Sequence, residues 1–230
     1  MDVNEVYGLM RVIARKNQLE SLSPTEFQAC FNTAQRNYYD FLVGRVEQYR
    51  YDKPTPRVGL NMTDNVVSRL MPFQKSSSVA VAAGIANKPA DFNKLTAMYT
   101  PLNQRVFRIE EDRFAERIGD SIDPVNDSNA FYVEQSTSWR VYPTTLSSVT
   151  VKYLTVPTNV VWAYTLDGSG RPVYSSGGGG SVIPTTGSVQ PVWNNNDIDE
   201  IIGRALKILG VSIKENSLIN YGQQVIAQGE

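Results

Sequence analysis

Hydrophobic residues near the start of the chain recur every three or four positions, which is the repeat of an α-helix. Val3, Val6 and Met10 share one face of a helix predicted over residues 2–16, and Asp2 is placed to cap its first turn. Because a helix of this length is stabilised mainly by packing, its apolar face predicts further elements against it.

The second helical pattern has a well-defined start. Ser23 fits the N-cap, Pro24 the first helical position and Glu26 the matching position of a capping box. Pro54 and Pro56 end the pattern, because proline lacks the amide donor that a helix needs. The apolar stripe between these limits contains Phe27, Cys30, Phe31, Ala34, Tyr38, Phe41, Leu42 and Tyr49.

The middle of the chain changes to the alternation of β-strands. Between Trp139 and Trp162, two alternating runs that each stop at a proline predict a β-hairpin turning at Pro143–Ser148. The residues predicted on its buried side are Trp139, Val141, Val149, Val151 and Tyr153. Further extended stretches are predicted at 79–84, 104–109 and 130–133.

A short charged helix is predicted within residues 110–124, with Phe114 and Ile118 facing inward. Carboxylates occur at its start and again at the start of a later helix. They are Glu110, Glu111 and Asp112 in the first case, and Asp197, Asp199 and Glu200 in the second. Because carboxylates stabilise the exposed amides of a helix N-terminus, this structural role is favoured over a paired general acid and base.

Residues 166–187 are rich in Gly, Ser, Thr and Pro. Since such a segment buries little apolar surface, we predict a long mobile hairpin or excursion that becomes ordered against a neighbouring protein. A phosphate-binding loop at Gly177–Gly180 is disfavoured, because neither a Lys-Ser or Lys-Thr pair nor a helix follows it.

The chain closes with two predicted helices. Asp197 is interpreted as the cap of the first and Gly210 as its stop, and the second spans about Asn216–Ala227. This order predicts an α+β protein in which N- and C-terminal helices form a bundle with an inserted β-sandwich or barrel-like domain. The predicted domains are a helical region at 1–103, a β-rich domain at 104–195 and closing helices at 196–230.

Composition narrows the possible chemistry. The 230 residues include no histidine and one cysteine, and the formal net charge is -1. The absence of histidine excludes Ser-His-Asp and Cys-His sites and two-His zinc motifs. Cys30 is predicted to be a buried structural thiol, and as the only cysteine it excludes an internal disulfide. The balanced charge argues against a dedicated nucleic-acid-binding surface.

A group of aspartates in the middle of the chain resembles a calcium-binding loop only in part. Asp120, Asp123 and Asp127 are typical of calcium loops, but they lack the EF-hand spacing and its terminal Glu, so turn formation is favoured.

The chain start does not resemble a signal peptide, and no run of about 20 apolar residues occurs. We therefore expect a soluble protein made in a cytosol, with no membrane partner. Because none of the carboxylate, histidine or cysteine patterns favours a catalytic or metal-binding site, we also expect no enzymatic activity, metal or cofactor.

Aromatic side chains are the remaining candidates for a binding site. They are interpreted first as core or interface anchors and second as a platform for sugar rings. The candidate interface residues are Trp139, Tyr142, Tyr153, Trp162, Tyr174 and Trp193.

A set of short motifs follows the helical N-terminal half. In chain order they are KPADF, EEDRFAERIGDSIDP, WRVYP, VTVKYLTVPTNVVW and LKILGVSIKENSLINYGQQV. With this set, the chain resembles the head-to-tail connector, or tail adaptor, ring proteins of short-tailed bacteriophages. It looks most like those of crAss-like phages that infect Bacteroidetes.

The resemblance implies a structural virion protein with no chemistry of its own. Such adaptors combine a helical bundle with a β-sandwich or barrel and assemble as rings, usually twelve-fold, below the portal protein. We therefore expect a homo-oligomeric ring of about twelve copies that contacts the portal and other ring or tail proteins. Phage DNA would pass through its channel without sequence-specific binding. The expected location is the head-tail connector of the virion, after synthesis in the host bacterial cytoplasm.

The alternative is a carbohydrate- or protein-binding β-domain of a phage tail or surface attachment component. A compact binding domain would not need the helical blocks at both ends of this chain.

Overall fold

The structure, a computed structural model, describes residues 1–16, 22–51, 59–120 and 124–212, together with residues 220, 223, 224 and 227. The chain has a mixed α+β fold that divides into two compact units. The helical unit contains Met1–Pro72 and Pro157–Glu230, and the β unit contains Phe73–Val156. The β-rich part thus starts and ends earlier in the chain than the predicted limits of 104 and 195.

Five α-helices lie in the described part of the chain. They are α1 (Val3–Lys16), α2 (Pro24–Tyr51), α3 (Gly59–Leu70), α4 (Phe114–Gly119) and α5 (Asn195–Ser212). In the helical unit, α2 packs against α1, α3 and α5, and α1 also packs against α5. The α4 helix belongs to the β unit.

The starts of α1 and α2 confirm the predicted capping. The Glu5 amide donates to Asp2 Oδ1 at 2.7 Å. At α2, the Glu26 amide donates to Ser23 Oγ at 3.2 Å, while the Ser23 amide donates to Glu26 Oε2 at 3.0 Å. This reciprocal pair is a complete capping box. The predicted stripe of α2 is buried from Phe27 to Leu42, including Cys30, except that Phe41 is only half-buried. The side chain of Tyr49 lies outside the described residues.

The start and end of α5 differ from the prediction. The first helical hydrogen bond runs from the Ile198 amide to the Asn194 carbonyl, so Asn194 is the N-cap and Asp197 lies inside the first turn. Gly210 does not stop the helix, which continues to Ser212. The predicted end at Pro54 and Pro56, and the predicted last helix apart from four isolated positions, lie outside the described residues.

Nine strands are described. They are β1 (Gln74–Ala82), β2 (Ile85–Asn87), β3 (Phe92–Tyr99), β4 (Phe107–Ile109), β5 (Phe131–Glu134), β6 (Ser138–Tyr142), β7 (Ser148–Thr155), β8 (Tyr164–Leu166) and β9 (Pro172–Tyr174). Seven of them form one sheet in the β unit, in the order β3-β7-β1-β2-β6-β5-β4. All neighbours in this sheet are antiparallel except β4 and β5, which are parallel.

The seven-stranded sheet nearly closes into a barrel. The end of β3 meets the residues that lead into β4, because Tyr99 and Arg105 form an antiparallel bridge. The Val106 amide also donates to the Met98 carbonyl at 2.8 Å. The first and last strands of the sheet therefore approach each other at one end. The core inside is built around Trp139, Val141, Val149, Val151 and Tyr153, so the predicted buried side is confirmed.

The predicted hairpin of these residues is wrong. The strands β6 and β7 are consecutive in the chain, but β1 and β2 lie between them in the sheet. Strand β6 pairs with β2 and β5, whereas β7 pairs with β1 and β3. Alternation shows which side of a strand is buried, but it carries no information about which strand lies beside it.

The orientation predicted for the charged helix is only partly right. Phe114 of α4 is half-buried and packs against Phe131 and Tyr142, with ring centroids 6.3 and 5.0 Å away. Ile118 is 48% exposed, which contradicts its predicted inward position. With six residues, α4 presents too short a face to bury both side chains.

The Gly-rich segment belongs to the helical unit and is organised by its own backbone. Strands β8 and β9 form a hairpin, and the amide and carbonyl of Ile183 both pair with Tyr164. A Cβ atom on Gly178 would lie 2.4 Å from the Thr185 carbonyl oxygen. Gly187 has a φ of 81°, which favours glycine. The packing uses partners within the same chain, and the mobility of the segment stays a prediction.

The close approach at Gly178 gives a direct test. Gly178→Ala is expected to lower the free energy of unfolding by about 1–3 kcal/mol, because the added methyl group has to displace backbone. The matched control is Gly180→Ala, since a Cβ atom at Gly180 meets nothing within 4 Å. Urea denaturation of both variants measures the difference. Equal stability of the two would contradict the packing of this segment.

Candidate functional site

Three of the six candidate aromatics lie in the β unit. The Trp139 side chain is fully buried and meets the ring of Phe92 edge-on at 5.0 Å. The ring of Tyr153 also packs against Phe92, at 5.8 Å, and its hydroxyl donates to Asp91 at 2.9 Å. Tyr142 belongs to a separate group and stacks on Phe131 at 5.3 Å. The structure thus brings Trp139 and Tyr153 together around one ring, but not Tyr142.

The other three lie in the helical unit. Trp162 packs on Tyr7 at 4.4 Å and on Tyr174 at 5.9 Å, and its indole N–H donates to Asn4 at 3.1 Å. Trp193 packs separately on Tyr38 at 5.2 Å. The indoles of Trp162 and Trp193 are only 3% and 5% exposed.

All three tryptophans are therefore core residues of their own unit. An indole that binds a sugar ring has to expose one face, and Trp139, Trp162 and Trp193 do not. Of the six candidates, Tyr142 and Tyr174 are partly exposed. An interface role for these residues stays a prediction.

The most ordered polar arrangement in the helical unit is a row of side-chain amides on α2. Gln28 donates to the Trp162 carbonyl at 3.2 Å and Gln35 to the Thr158 carbonyl at 3.0 Å. Between them, Asn32 donates to the Val160 carbonyl at 3.0 Å and accepts from the Val160 amide at 2.7 Å. We call Gln28, Asn32 and Gln35 the amide row.

The amide row can bond successive residues of the extended segment because the spacing of its side chains along the helix is close to the two-residue repeat of an extended chain. Positions 28, 32 and 35 lie on one helix face and advance by about 4.5–6 Å per step. Positions 158, 160 and 162 lie on one side of an extended chain and advance by about 6.6 Å per step. The row therefore satisfies backbone groups of a segment that has no regular strand partner at these positions. Sequence reasoning missed it, although three amides at helical spacing beside an apolar stripe were a visible signal.

A charged cluster joins α2, α3 and α5. Arg69 donates to the Tyr38 hydroxyl at 2.7 Å and lies 3.5 Å from both Asp197 and Glu200. The Tyr38 hydroxyl donates to Asp197 at 2.8 Å, and Arg204 bonds Glu200 at 2.9 Å. With two arginines against two carboxylates, the cluster is balanced, as buried charges have to be.

Burial dominates the electrostatics of this cluster. It raises the pKa of the Asp197 carboxyl above its ordinary value, although the Tyr38 hydroxyl and the Arg69 guanidinium act in the opposite direction. Burial also raises the pKa of the Tyr38 hydroxyl, helped by the nearby charge of Glu200. Both groups therefore stay linked by a hydrogen bond through the neutral range, and the cluster connects helices rather than presenting an acid or base to solvent.

The β unit carries a charged groove beside β4 and α4, which we call the arginine groove. It encloses about 570 Å³ and is lined by Arg108, Ile109, Glu110, Arg113, Glu116, Arg117 and Asp120. Its three arginines face three carboxylates, and Arg117 lies 3.7 Å from Asp120. Because the charges balance, the groove does not select a ligand of either sign.

The helical unit carries a second groove, between α1, the start of α2 and the β8–β9 hairpin, which we call the hairpin groove. It encloses about 830 Å³. Its polar groups include Arg11 and Arg171, with Asp167 as the only carboxylate among the described lining residues. Most of its other walls are aromatic or aliphatic, so this groove differs in character from the arginine groove.

Neither a metal-binding cluster nor a helix able to cross a membrane occurs among the described residues. No three acidic or cysteine side chains among them converge closely enough to bind a metal ion, and Asp123 lies outside them. In the same part of the chain, none of the helices combines the length and apolar character needed to cross a bilayer. A scan against models of known protein families found no match. A search of curated proteins found no relative either.

Proposed function

We propose that the chain is a structural virion protein, a head-to-tail connector subunit that forms a ring below the portal and continues the DNA channel into the tail. The observation that carries the proposal is the order of the fold. Helices from both ends of the chain belong to one unit, and a barrel-like β unit is inserted between residues 72 and 157. The resemblance to tail adaptors implies a helical bundle combined with a β-sandwich or barrel, and this order of elements supports it.

In this proposal, α1, α2 and α5 form the helical bundle that N- and C-terminal helices build in adaptors. Packing of α2 on both α1 and α5 supports it, since helices from the two chain ends share one interface. The charged cluster supports it further, because Arg69 of α3 binds carboxylates of α5.

Exposed apolar side chains support assembly. In the helical unit they include Val12, Met71, Leu166, Val173, Ile183 and Val192, and in the β unit Ile85, Leu102, Phe107, Ile118 and Val156. A ring needs two different surfaces on each copy, so that each subunit contacts both of its neighbours. The proposal expects some of these exposed side chains to be covered by neighbouring copies in the ring.

A carbohydrate-binding function has less support. The three indoles that a sugar platform would use are buried, and no other observation on the described residues favours glycan binding. We expect a purified sample to bind no glycan through its tryptophans, which intrinsic fluorescence measures. A glycan-dependent quenching of tryptophan emission would favour the attachment component instead.

The decisive experiment is cryo-electron microscopy of the intact particle. The expected result is a closed ring of about twelve copies directly below the portal, with DNA passing through its centre. As a biochemical companion, the purified chain is mixed with portal protein and analysed by sedimentation, with the chain alone as control. A chain that stays monomeric beside the portal, or that lies at the outer tail of the particle, would contradict the proposal.

A further inference from the structure

We propose that the hairpin groove binds an extended peptide segment of a partner protein, in which a carboxylate lies beside apolar side chains. This inference goes beyond the connector role and does not depend on it, since the groove lies wholly in the helical unit. An attachment component would have the same groove.

Arg11 of α1 presents a hydrogen-bond donor at the hairpin groove that no described residue satisfies. Its Nε atom is buried, and among the described residues nothing accepts a hydrogen bond from it. A buried donor without an acceptor is costly, so native structures satisfy almost all of them. Because Arg11 lines the groove, an acceptor placed in the groove can meet this guanidinium.

The charge of the groove favours an anionic acceptor. Arg171 lies across the groove on the hairpin and adds a second guanidinium. The opposing carboxylate, Asp167, already accepts the amides of Ser169 and Arg171 at 2.8 Å each. Two cations against one engaged carboxylate leave the described lining with an excess of positive charge.

The remaining walls favour an apolar neighbour for that anion. Leu22, Pro24, Tyr164 and Pro172 line the groove, together with Leu166 and Val173, which are 56% and 50% exposed. A free phosphate would use the arginines but leave this apolar surface in water. A peptide that pairs a carboxylate with a leucine or an aromatic residue uses both parts.

The size of the groove also fits a peptide segment. A volume of about 830 Å³ accommodates several residues of extended chain rather than one side chain. Strands β8 and β9 form one wall of the groove, and their three residue pairs from Tyr164↔Tyr174 to Leu166↔Pro172 are in register.

The first experiment selects the ligand class without assuming a sequence. A library of random twelve-residue peptides is panned on the full chain and, in parallel, on Arg11→Gln. The expected result is a set of peptides that bind only the wild-type chain and carry Asp or Glu next to Leu, Ile, Phe or Tyr. Enrichment of peptides without an acidic residue, or identical selections on both proteins, overturns the proposal.

The second experiment measures affinity for one selected peptide by fluorescence polarisation. Arg11→Gln, and separately Arg171→Gln, is expected to weaken binding by about tenfold or more, as does the peptide with its acid changed to the amide. Arg105→Gln, an exposed arginine of the β unit, is the matched control and should leave affinity unchanged. Circular dichroism checks that each variant is folded. Because the Arg171 side chain is exposed, Arg171→Gln should leave the fold intact.

Competition separates a peptide groove from a simple anion site. Inorganic phosphate at millimolar concentration should displace the peptide only weakly, because it cannot cover the apolar walls. Full displacement by phosphate, or equal affinity of the wild-type chain and both arginine variants, would show that the groove is not the peptide site.

Discussion

Asn32→Ala is expected to lower the free energy of unfolding by about 3 kcal/mol. The amide of Asn32 satisfies both backbone groups of Val160, a residue that is only 1% exposed. Alanine would leave a buried N–H and a buried C=O without partners, each at a cost of about 1–3 kcal/mol. It would also remove the acceptor of the Gln35 amide, which donates to Asn32 at 2.8 Å.

The same helix provides a matched control. Asn37 is also an asparagine of α2, but its side chain is exposed, and Asn37→Ala should change stability by less than about 0.5 kcal/mol. Urea denaturation followed by tryptophan fluorescence measures both variants, since Trp162 and Trp193 both contact this region through Gln28 and Gln35. If the two asparagine variants lose equal stability, the amide row does not hold residues 158–162 in place.

The helices show which structural features the local sequence can predict. The capping box of Ser23 and Glu26 was predictable because the residues that cap a helix are close in sequence to the amides they satisfy. Asp197 was misread for the opposite reason. Its position near a helix start is typical of a cap, but its partners Tyr38 and Arg69 come from helices far away in the chain. Nothing in the local sequence indicates that this carboxylate is buried.

The β unit shows the same limit for strands. The alternation of Val149, Val151 and Tyr153 predicted the buried side of β7 correctly. Strand β7 pairs with β1 and β3. The sequence of β1, QKSSSVAVA, has few large apolar residues, and only its second half falls within the extended stretch predicted at 79–84. Pairing of β1 depends on backbone hydrogen bonds to a strand some seventy residues away, which side-chain periodicity does not encode.

The hairpin groove could not be predicted from the sequence for a similar reason. Arg11 is one of three cations on α1, with Arg15 and Lys16, and in sequence it is indistinguishable from an ordinary solvated arginine. Its significance depends on the β8–β9 hairpin, which lies more than 150 residues further along the chain and supplies Arg171 and the apolar wall. The Gly-rich composition predicted a mobile hairpin or excursion over 166–187, but composition alone does not show that residues 164–174 pair as a hairpin or against what they pack.

Arg69→Met is the second large effect that we expect. Methionine keeps much of the side-chain volume but removes the charge that faces Asp197 and Glu200. Glu200 retains Arg204, whereas Asp197, which is 2% exposed, keeps the Tyr38 hydroxyl and no cation that the described residues show. Because the Arg69 side chain itself is 30% exposed, we expect a loss of about 2–3 kcal/mol near neutral pH, below the full cost of breaking a buried pair.

The loss should depend on pH in a defined direction. The pKa of Asp197 is already raised by burial in the wild-type chain, so its contribution to stability is fully present below its unfolded pKa and is lost as the pH rises through its folded pKa. Removing Arg69 raises that folded pKa further, because the ionised carboxylate loses a cation. The destabilisation by Arg69→Met should therefore be largest at neutral pH and become smaller as the pH falls through the folded pKa of Asp197 toward the ordinary range of an aspartate.

Two further variants test whether the pH dependence of Arg69→Met comes from the charged cluster. Arg36→Met removes one positive charge from the exposed side of α2, where the arginine bonds only the neutral Asn159 among the partners described, and it should be nearly pH-independent. In the double variant Arg69→Met/Asp197→Asn, the uncompensated carboxylate is absent, so stability at neutral pH should partly recover and the pH dependence should shrink. Urea midpoints measured at several pH values test both expectations. A constant loss across that range, or a double variant no more stable than Arg69→Met alone, would show that Arg69 stabilises the helical unit through packing rather than through the charge of Asp197.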